Sequence, residues 1–236
     1  MRTTGIGSLP FTEPAEALAY SLAHDLPFLP ELPKLDPAEF MIPAALAGVA
    51  TGRPELHVLE RFLAGVPSPR LLKLQLAGPT TLAAFSRELP RDAIAPWLVL
   101  RVRAMIAAAQ ARGHEVLFVL DEPALVAHPP FALDVVTRAI REAGARVGLH
   151  CCGETDWHAL LPLGLDALSF DARLSLDSVL RAGFSGQLIA GVDVPTPLPA
   201  GVWVSTPCGL AMEPPGEAWR RLELLRALAV GYNATP

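Results

Sequence analysis

A histidine and a cysteine stand two residues apart at the end of the short apolar run 147–153, Val-Gly-Leu-His-Cys-Cys-Gly. Apolar residues that stop at a glycine are typical of a buried strand entering a turn. Side chains two residues apart in a strand point to the same side, so His150 and Cys152 would share a face. Imidazole and thiolate are good ligands for zinc, which takes about four ligands in a tetrahedron.

Two further candidate ligands follow other predicted strands, Asp171 directly and Cys208 within Ser-Thr-Pro-Cys-Gly. Together the four residues would supply one imidazole, two thiolates and one carboxylate, all of which bind zinc. Each also has an ordinary alternative, because a buried cysteine is often a small apolar side chain and a strand-end aspartate is often a helix N-cap. Cys151 would point to the opposite side of its strand, so we expect it to pack.

A zinc ion held by two thiolates is a poor activator of water, because these ligands donate negative charge to the metal. It is better suited to binding a substrate thiol, lowering the pKa of that thiol and keeping the thiolate nucleophilic. The pattern therefore predicts transfer of an alkyl group to sulfur rather than hydrolysis. A purely structural zinc is disfavoured, since such sites usually carry two close pairs of cysteines.

Short apolar or alternating runs predict the strands that would position these residues: 3–10, 26–32, 71–76, 115–120, 146–150, 166–170, 187–192 and 202–205. Most of them alternate with helical patterns, which favours one catalytic domain over residues 1–236 with a (β/α)₈ TIM barrel fold. Only residues 195–201 separate the last two runs, so we expect a shortened connection between strands seven and eight. A doubly wound open sheet is the alternative, although no glycine-rich phosphate motif follows the first run.

The composition narrows the class of protein. The chain has 236 residues, of which 51% are hydrophobic, and a net charge of −5, which argues against nucleic acid as a partner. The sequence shows no apolar run long enough to span a bilayer and no signal-peptide core near Met1. Two of its three cysteines are adjacent, so a disulfide framework is not expected. These features predict a cytoplasmic protein without a membrane partner.

Several blocks of the sequence resemble the C-terminal catalytic barrel of cobalamin-independent methionine synthase. They are Ile6-Gly7-Ser8-Leu9-Pro10, Leu76-Ala77-Gly78-Pro79-Thr80-Thr81, Leu120-Asp121-Glu122-Pro123-Ala124-Leu125, His150-x-Cys152 and Cys208-Gly209-Leu210. The resemblance runs along most of the chain, and the order and spacing of the blocks are more specific than any single block.

The resemblance implies a zinc-dependent methyltransferase that methylates homocysteine to give methionine. The residues that would bind Zn²⁺ are His150, Cys152, Asp171 and Cys208, with Asp171 standing where the family has glutamate. The residues that would bind homocysteine are Ile6, Gly7, Ser8, Glu31 and Asp121. The residues that would contact the methyl donor are Gly78, Pro79 and Phe85. Alternatives remain for two of these residues, because Asp121 could belong to a simple strand-end turn and Glu31 to a solvated loop.

Departures from the family pattern fall on the side of the methyl donor. The position of the general-acid histidine is Pro195, and the aromatic residue that stacks on folate looks replaced by Phe85. The N-terminal half of the usual double-barrel enzyme, with much of the folate polyglutamate site, is expected to be absent. We therefore expect the donor to be a methylated corrinoid, free or carried by a partner protein, with methyltetrahydrofolate as the alternative.

Two other readings stay open. The block His150–Thr155 is also similar to the His-x-Cys-Gly block of corrinoid-dependent coenzyme M methyltransferases, which pass a methyl group to a different thiol. The Asp-Glu-Pro-Ala-Leu and Cys-Gly-Leu blocks favour the methionine synthase side. A non-catalytic relative that binds zinc or a thiol is the alternative from another class of protein.

Overall fold

The computed structural model of the protein describes residues 1–67 and 69–233. Its centre is a half-barrel of six parallel strands, in which each strand pairs with its neighbours along the chain. The strands are β1 (Leu71–Ala77), β2 (Glu115–Asp121), β3 (Arg146–Cys151), β4 (Ala167–Asp171), β5 (Gln187–Gly191) and β6 (Trp203–Ser205).

Helices precede the sheet and connect most of its strands. They are α1 (Pro14–Leu22), α2 (Met41–Thr51), α3 (His57–Gly65), α4 (Pro79–Phe85), α5 (Arg91–Gln110), α6 (Leu133–Glu142), α7 (Trp157–Leu160), α8 (Ala172–Ala182) and α9 (Pro215–Asn233). Short 3₁₀ turns form at Pro37–Glu39, Pro123–Val126 and Leu161–Leu163. Within the described ranges, no helix has both the length and the apolar content that a membrane span requires.

The prediction of a closed, eight-stranded (β/α)₈ barrel is wrong, because the sheet contains six strands. The first two predicted strands, 3–10 and 26–32, make only isolated bridges, which pair Thr3 with Val204, Ser8 with Glu31 and Phe28 with Lys73. Pro27 and Pro30 interrupt the second segment, and a proline cannot donate a backbone hydrogen bond to a strand ladder. The first segment has a proline only at its last residue, Pro10. The other six predicted strands form with bounds within one residue of the predicted ones.

The connection between β5 and β6 is short, as the spacing of the last two runs predicts. Residues 192–202, all of them described, cross from one strand to the next without a helix. This stretch carries Pro195, which is exposed to solvent.

Alternation along the strands divides the sheet into two faces. Leu72, Leu74 and Leu76 of β1 belong to the main core, which packs against the helices. The opposite, inner face has a small apolar cluster made by Leu26, Leu117, Val119, Ala167 and Ile189. Further along the inner face, towards the carboxyl ends of the strands, the residues become polar, because the register aligns Asp121 with His150 and His150 with Ser169.

Glu122 attaches α4 to the end of β2. Its carboxylate accepts hydrogen bonds from the backbone N–H groups of Thr80, at 2.9 Å, and Thr81, at 2.7 Å, and from the Thr81 hydroxyl, at 2.6 Å. These N–H groups lie in the first turn of the helix, where no partner within the helix is available. Gly78 is required just before this turn, since a Cβ there would collide with the Glu122 side chain.

Replacing Glu122 by alanine should lower the free energy of unfolding by about 3 kcal/mol, because buried donors of α4 lose their acceptor. Urea denaturation of the wild type and the variant measures the difference. Glu115→Ala, at the exposed start of the same strand, removes only a surface ion pair with Arg146. It should cost less than about 0.5 kcal/mol, and an equal loss in both variants would contradict this assignment.

Candidate functional site

A cavity of about 310 Å³ lies at the carboxyl ends of the strands, and we call it the thiol cavity because Cys152 and Cys208 line it. Asp121 and His150 also line it. Most of the remaining lining is apolar and comes from outside the sheet, including Ile6, Phe40, Met41, Ile42, Pro43 and Met212. A small polar cluster therefore lies within a largely apolar pocket, which is the usual character of a ligand site.

The parallel sheet is the reason that these polar residues meet. Asp121 ends β2, His150 lies near the end of β3, Cys152 directly follows β3, and Cys208 follows β6. Parallel strands present their carboxyl ends at one edge, so residues far apart in sequence become neighbours there. Cys151, between the two predicted ligands, is buried in the main core on the other face, and this confirms the prediction that it packs.

The thiols of Cys152 and Cys208 lie close enough to affect each other's ionisation. The neighbouring Cys152 thiol lowers the pKa of Cys208 by stabilising its thiolate, and the same interaction raises the pKa of Cys152. Cys208 is also the more exposed of the two. The pair therefore loses its first proton from Cys208.

His150 is held in its uncharged form. Its Nδ1 lies 2.9 Å from the hydroxyl oxygen of Ser169 on the neighbouring strand. Burial lowers the pKa of His150 to about 3, and the nearby Lys73 ammonium acts in the same direction. An uncharged imidazole with one nitrogen engaged in a hydrogen bond is the usual state of a metal-binding histidine.

Asp171 makes the contacts of a helix N-cap. Its carboxylate accepts a hydrogen bond from the backbone N–H of Arg173 at 2.9 Å and lies 3.4 Å from the Arg173 guanidinium. The contacts of Asp171 are therefore those of a helix N-cap, which is the alternative to zinc binding that the sequence offers for this residue. Asp171 still lies close enough to Cys208 for its negative charge to raise the pKa of that thiol.

The described residues contain no group of three or more His, Cys, Asp or Glu side chains arranged to hold a metal ion. Of the four predicted ligands, His150, Cys152 and Cys208 line the same cavity, and Asp171 is not in its lining. The chemistry of the donor set nevertheless fits zinc, since an uncharged imidazole and two thiols share a water-accessible pocket. Zinc binding by His150, Cys152, Asp171 and Cys208 stays a prediction.

Asp121 is buried without a hydrogen bond. Its side chain is 4% exposed, and neither carboxylate oxygen has a partner among the described residues. Burial raises the pKa of Asp121 to about 7, and the Lys73 ammonium opposes that rise. Lys73 itself donates to the Gly5 carbonyl, at 3.1 Å, and to Gln75 Oε1, at 2.8 Å. The carboxylate of Asp121 is thus balanced in charge and still available to a ligand.

Glu31 is buried rather than solvated. Its Oε2 accepts a hydrogen bond from the Ser8 hydroxyl at 3.2 Å, and burial raises its pKa to about 8. Ser8 and Ile6 line the thiol cavity, whereas Glu31 is not in its lining and lines a neighbouring cavity instead. Gly7 accepts a hydrogen bond from the Glu31 N–H at 2.8 Å, and a Cβ at Gly7 would collide with the side chain of Gln75.

The residues predicted to contact the methyl donor are not in the lining of the thiol cavity. Gly78 and Pro79 begin α4, and the Phe85 side chain, at the other end of that helix, is 57% exposed. Pro195 stands where the resemblance to methionine synthase would place a general acid, and it lies in the exposed connection before β6. Of the residues predicted to bind zinc or homocysteine, the thiol cavity brings together Ile6, Ser8, Asp121, His150, Cys152 and Cys208. Gly7, Glu31 and Asp171 are not in its lining, and neither are the residues predicted to contact the methyl donor.

Sequence reasoning missed residues that shape the cavity. Lys73 and Gln75 alternate with leucines in β1, and this alternation was the available signal that both side chains share the inner face. Ser169 of β4 is aligned with His150 of β3. The apolar segment 40–43 and Met212 carry no sequence signal, because only tertiary folding brings them over the ends of the strands.

Comparisons with known proteins give little further information. Neither the protein-family models nor the curated proteins include a match to the chain. Among solved structures, a mutant of FabK from Thermotoga maritima has a TM-score of 0.46 at 13% identity, covering 87% of this chain and 61% of FabK. The apo form of the 3-keto-D-glucoside 4-epimerase YcjR from E. coli has a TM-score of 0.47 at 12% identity, covering 95% of this chain and 99% of YcjR. These similarities are too low to support an inference about activity.

Mild oxidation of the purified protein with diamide should join Cys152 and Cys208 in an intramolecular disulfide, because both thiols line one cavity and each affects the ionisation of the other. Peptide mapping by mass spectrometry without reduction identifies the bond. Cys151→Ser is the matched control and should keep the disulfide, whereas Cys208→Ser should lose it. Preferential formation of a Cys151–Cys208 bond would contradict the geometry described above.

Proposed function

We propose that the chain is a zinc-dependent methyltransferase that methylates the sulfur of homocysteine, as the resemblance to cobalamin-independent methionine synthase implies. The observation that carries the proposal is the lining of the thiol cavity. Two thiols face one pocket of about 310 Å³ together with the carboxylate of Asp121, which has no hydrogen-bond partner among the described residues. A thiol that also carries an ammonium group matches both features.

The ligands available to zinc in this proposal are His150, Cys152 and Cys208, with Asp171 adjacent to Cys208. Zinc would lower the pKa of the bound substrate thiol, so that the substrate reacts as a thiolate. Ser169 fixes the orientation of the His150 ring through the hydrogen bond to Nδ1. Asp171 acts on Cys208 through its charge and, because Arg173 engages its carboxylate, needs no direct contact with the metal.

Asp121 is the residue assigned to the substrate ammonium. A charge-assisted hydrogen bond to a buried carboxylate is stronger than one between neutral groups, and both oxygens of Asp121 lack a competing donor. Arrival of an ammonium would also favour the ionised form of Asp121, whose pKa burial raises to about 7. Ile6 and Ser8 line the same cavity and are assigned to the carboxylate end of homocysteine.

The proposed methyl donor is a methylated corrinoid presented by a partner protein. The S–C bond would form as the Co–C bond breaks, and the electron pair of that bond would leave on cobalt. Such a leaving group needs no proton, which agrees with a proline at position 195. The apolar side chains of Phe40, Ile42 and Met212 at the thiol cavity suit a large hydrophobic donor. Three free cysteines suit a reducing, cytoplasmic location.

Metal content tests the zinc site directly. Protein purified without added metal should contain about one zinc per chain, measured by elemental analysis. Cys208→Ser should lose most of this zinc, while Cys151→Ser, which alters a core cysteine beside the site, should keep it. A wild-type protein without zinc, or equal zinc in both variants, would remove the proposed metal site.

Asp121→Asn should lower kcat/KM for homocysteine by about 10- to 100-fold, because a neutral amide replaces the charged partner of the ammonium. The same substitution should leave transfer to 3-mercaptopropionate, which lacks the amino group, within about threefold of the wild type. Turnover with methylcobalamin and each thiol, followed by mass spectrometry of the methylated product, gives both ratios. Equal losses for the two thiols would contradict the assigned contact.

The same assay distinguishes the donors and the alternative functions. Methylation from methyltetrahydrofolate triglutamate as fast as from methylcobalamin would refute the corrinoid donor. Faster methylation of coenzyme M than of homocysteine would instead support the coenzyme M methyltransferase reading. Zinc retention and thiol binding without turnover from either donor would identify a non-catalytic relative.

A further inference from the structure

A second cavity, of about 230 Å³, lies between β1 and helices α2, α3 and α5, and we call it the α5 cavity. Met41 lines both this cavity and the thiol cavity, so the two pockets are neighbours. Part of its wall is formed by two exposed residues, Thr51 at the end of α2 and Glu55 in the loop between α2 and α3. The α5 cavity therefore opens to solvent independently of the thiol cavity.

Arg101 is the unusual member of the lining. It lies one helical turn from Trp97 and from Met105, which are both buried on the inward side of α5. Its Nε and Nη1 atoms are buried and have no hydrogen-bond partner among the described residues. By contrast, Arg103 on the same helix is exposed and forms an ion pair with Glu142 at 2.8 Å. Arg101 as a whole is partly exposed, but two guanidinium nitrogens that are buried without a partner are costly, so their presence requires an explanation.

The nearby carboxylates do not supply the missing partner. Glu39 is engaged with the guanidinium of Arg61 at 2.9 Å. Glu31 accepts a hydrogen bond from Ser8, and burial raises its pKa to about 8, so it is largely uncharged at neutral pH. Glu55 attracts Arg101 through space but is exposed on its loop. Although burial lowers the pKa of Arg101, a guanidinium remains protonated near neutrality.

The walls around Arg101 are apolar and rigidly packed. The buried side chains of Leu29, Leu59, Leu76, Trp97 and Met105 line the cavity. Helix α2 approaches α5 closely at Gly48, where a Cβ would collide with the indole of Trp97. An inorganic anion would satisfy the guanidinium but leave these apolar walls facing water. An anion with a hydrocarbon body would satisfy both.

We propose that the α5 cavity binds a small aliphatic carboxylate, whose carboxylate group pairs with Arg101 and whose hydrocarbon chain packs against Trp97 and Met105. Charge-assisted hydrogen bonds to an arginine are among the stronger polar contacts in proteins, and the apolar walls add the burial of the chain. This site uses residues outside the thiol cavity, and the inference does not rest on the proposed methyltransferase activity.

Isothermal titration of the full chain with hexanoate at neutral pH tests the site. The wild type should bind one hexanoate saturably, and binding should be at least about tenfold tighter than that of hexanol, which has the same chain without the charge. Arg101→Met should weaken hexanoate binding at least about tenfold, because it keeps the length of the side chain and removes the cation. Arg103→Met, on the same helix, is the matched control and should bind as the wild type does.

Arg101→Lys provides a second variant should the methionine variant fail to fold, as judged by its thermal transition. It keeps a positive charge and should retain hexanoate binding, weakened by less than Arg101→Met or, without that variant, by less than tenfold. Absence of saturable binding by the wild type, equal binding of hexanoate and hexanol, or equal affinity in Arg101→Met would each overturn the proposal. Hexanoate binding that appears only in the Glu55→Gln variant would overturn the proposal as well, since Glu55 would then be the ion-pair partner of Arg101 in the wild type.

Discussion

The burial of Lys73 beside Asp121 and Glu31 is the constraint on which the inner face depends. The side chain of Lys73 is 0% exposed, and a buried ammonium is tolerated only where hydrogen bonds and opposite charge compensate for lost hydration. The Gly5 carbonyl and Gln75 accept its hydrogen bonds, while Asp121 supplies the opposite charge. Lys73 therefore ties the N-terminal segment to β1 and lets Asp121 remain without a hydrogen bond of its own.

This arrangement gives the two cavities different electrostatic character. Beside the thiol cavity, the positive charge of Lys73 balances the carboxylate of Asp121. The lining therefore presents a carboxylate, two thiols and an uncharged imidazole to a ligand. In the α5 cavity, the raised pKa of Glu31 removes a negative charge near Arg101, so the lining presents a cation. One pocket suits a ligand with an amino group and a thiol, and the adjacent pocket suits an anion.

The alternation of strand residues could be predicted, because it depends only on local geometry. The six strands, the outward packing of Cys151 and the placement of Asp121, His150, Cys152 and Cys208 at strand ends all follow from apolar runs and the residues that stop them. The apolar content of residues 3–10 and 26–32 predicts strands, although Pro27 and Pro30 stand inside the second segment and Pro10 ends the first. In the fold, both segments form only isolated bridges.

The sequence by itself determined which chemical groups the strand ends carry, since residue type and a period of two are local properties. Only the tertiary structure decided how these groups are used. It placed Cys152 and Cys208 in one cavity, gave Asp171 to the first turn of α8, turned Glu122 toward α4 and left two guanidinium nitrogens of Arg101 without a partner beside a second cavity. Each of these outcomes depends on a partner and on a loss of water. Both are set by how the helices and strands pack, and no stretch of sequence contains that information alone.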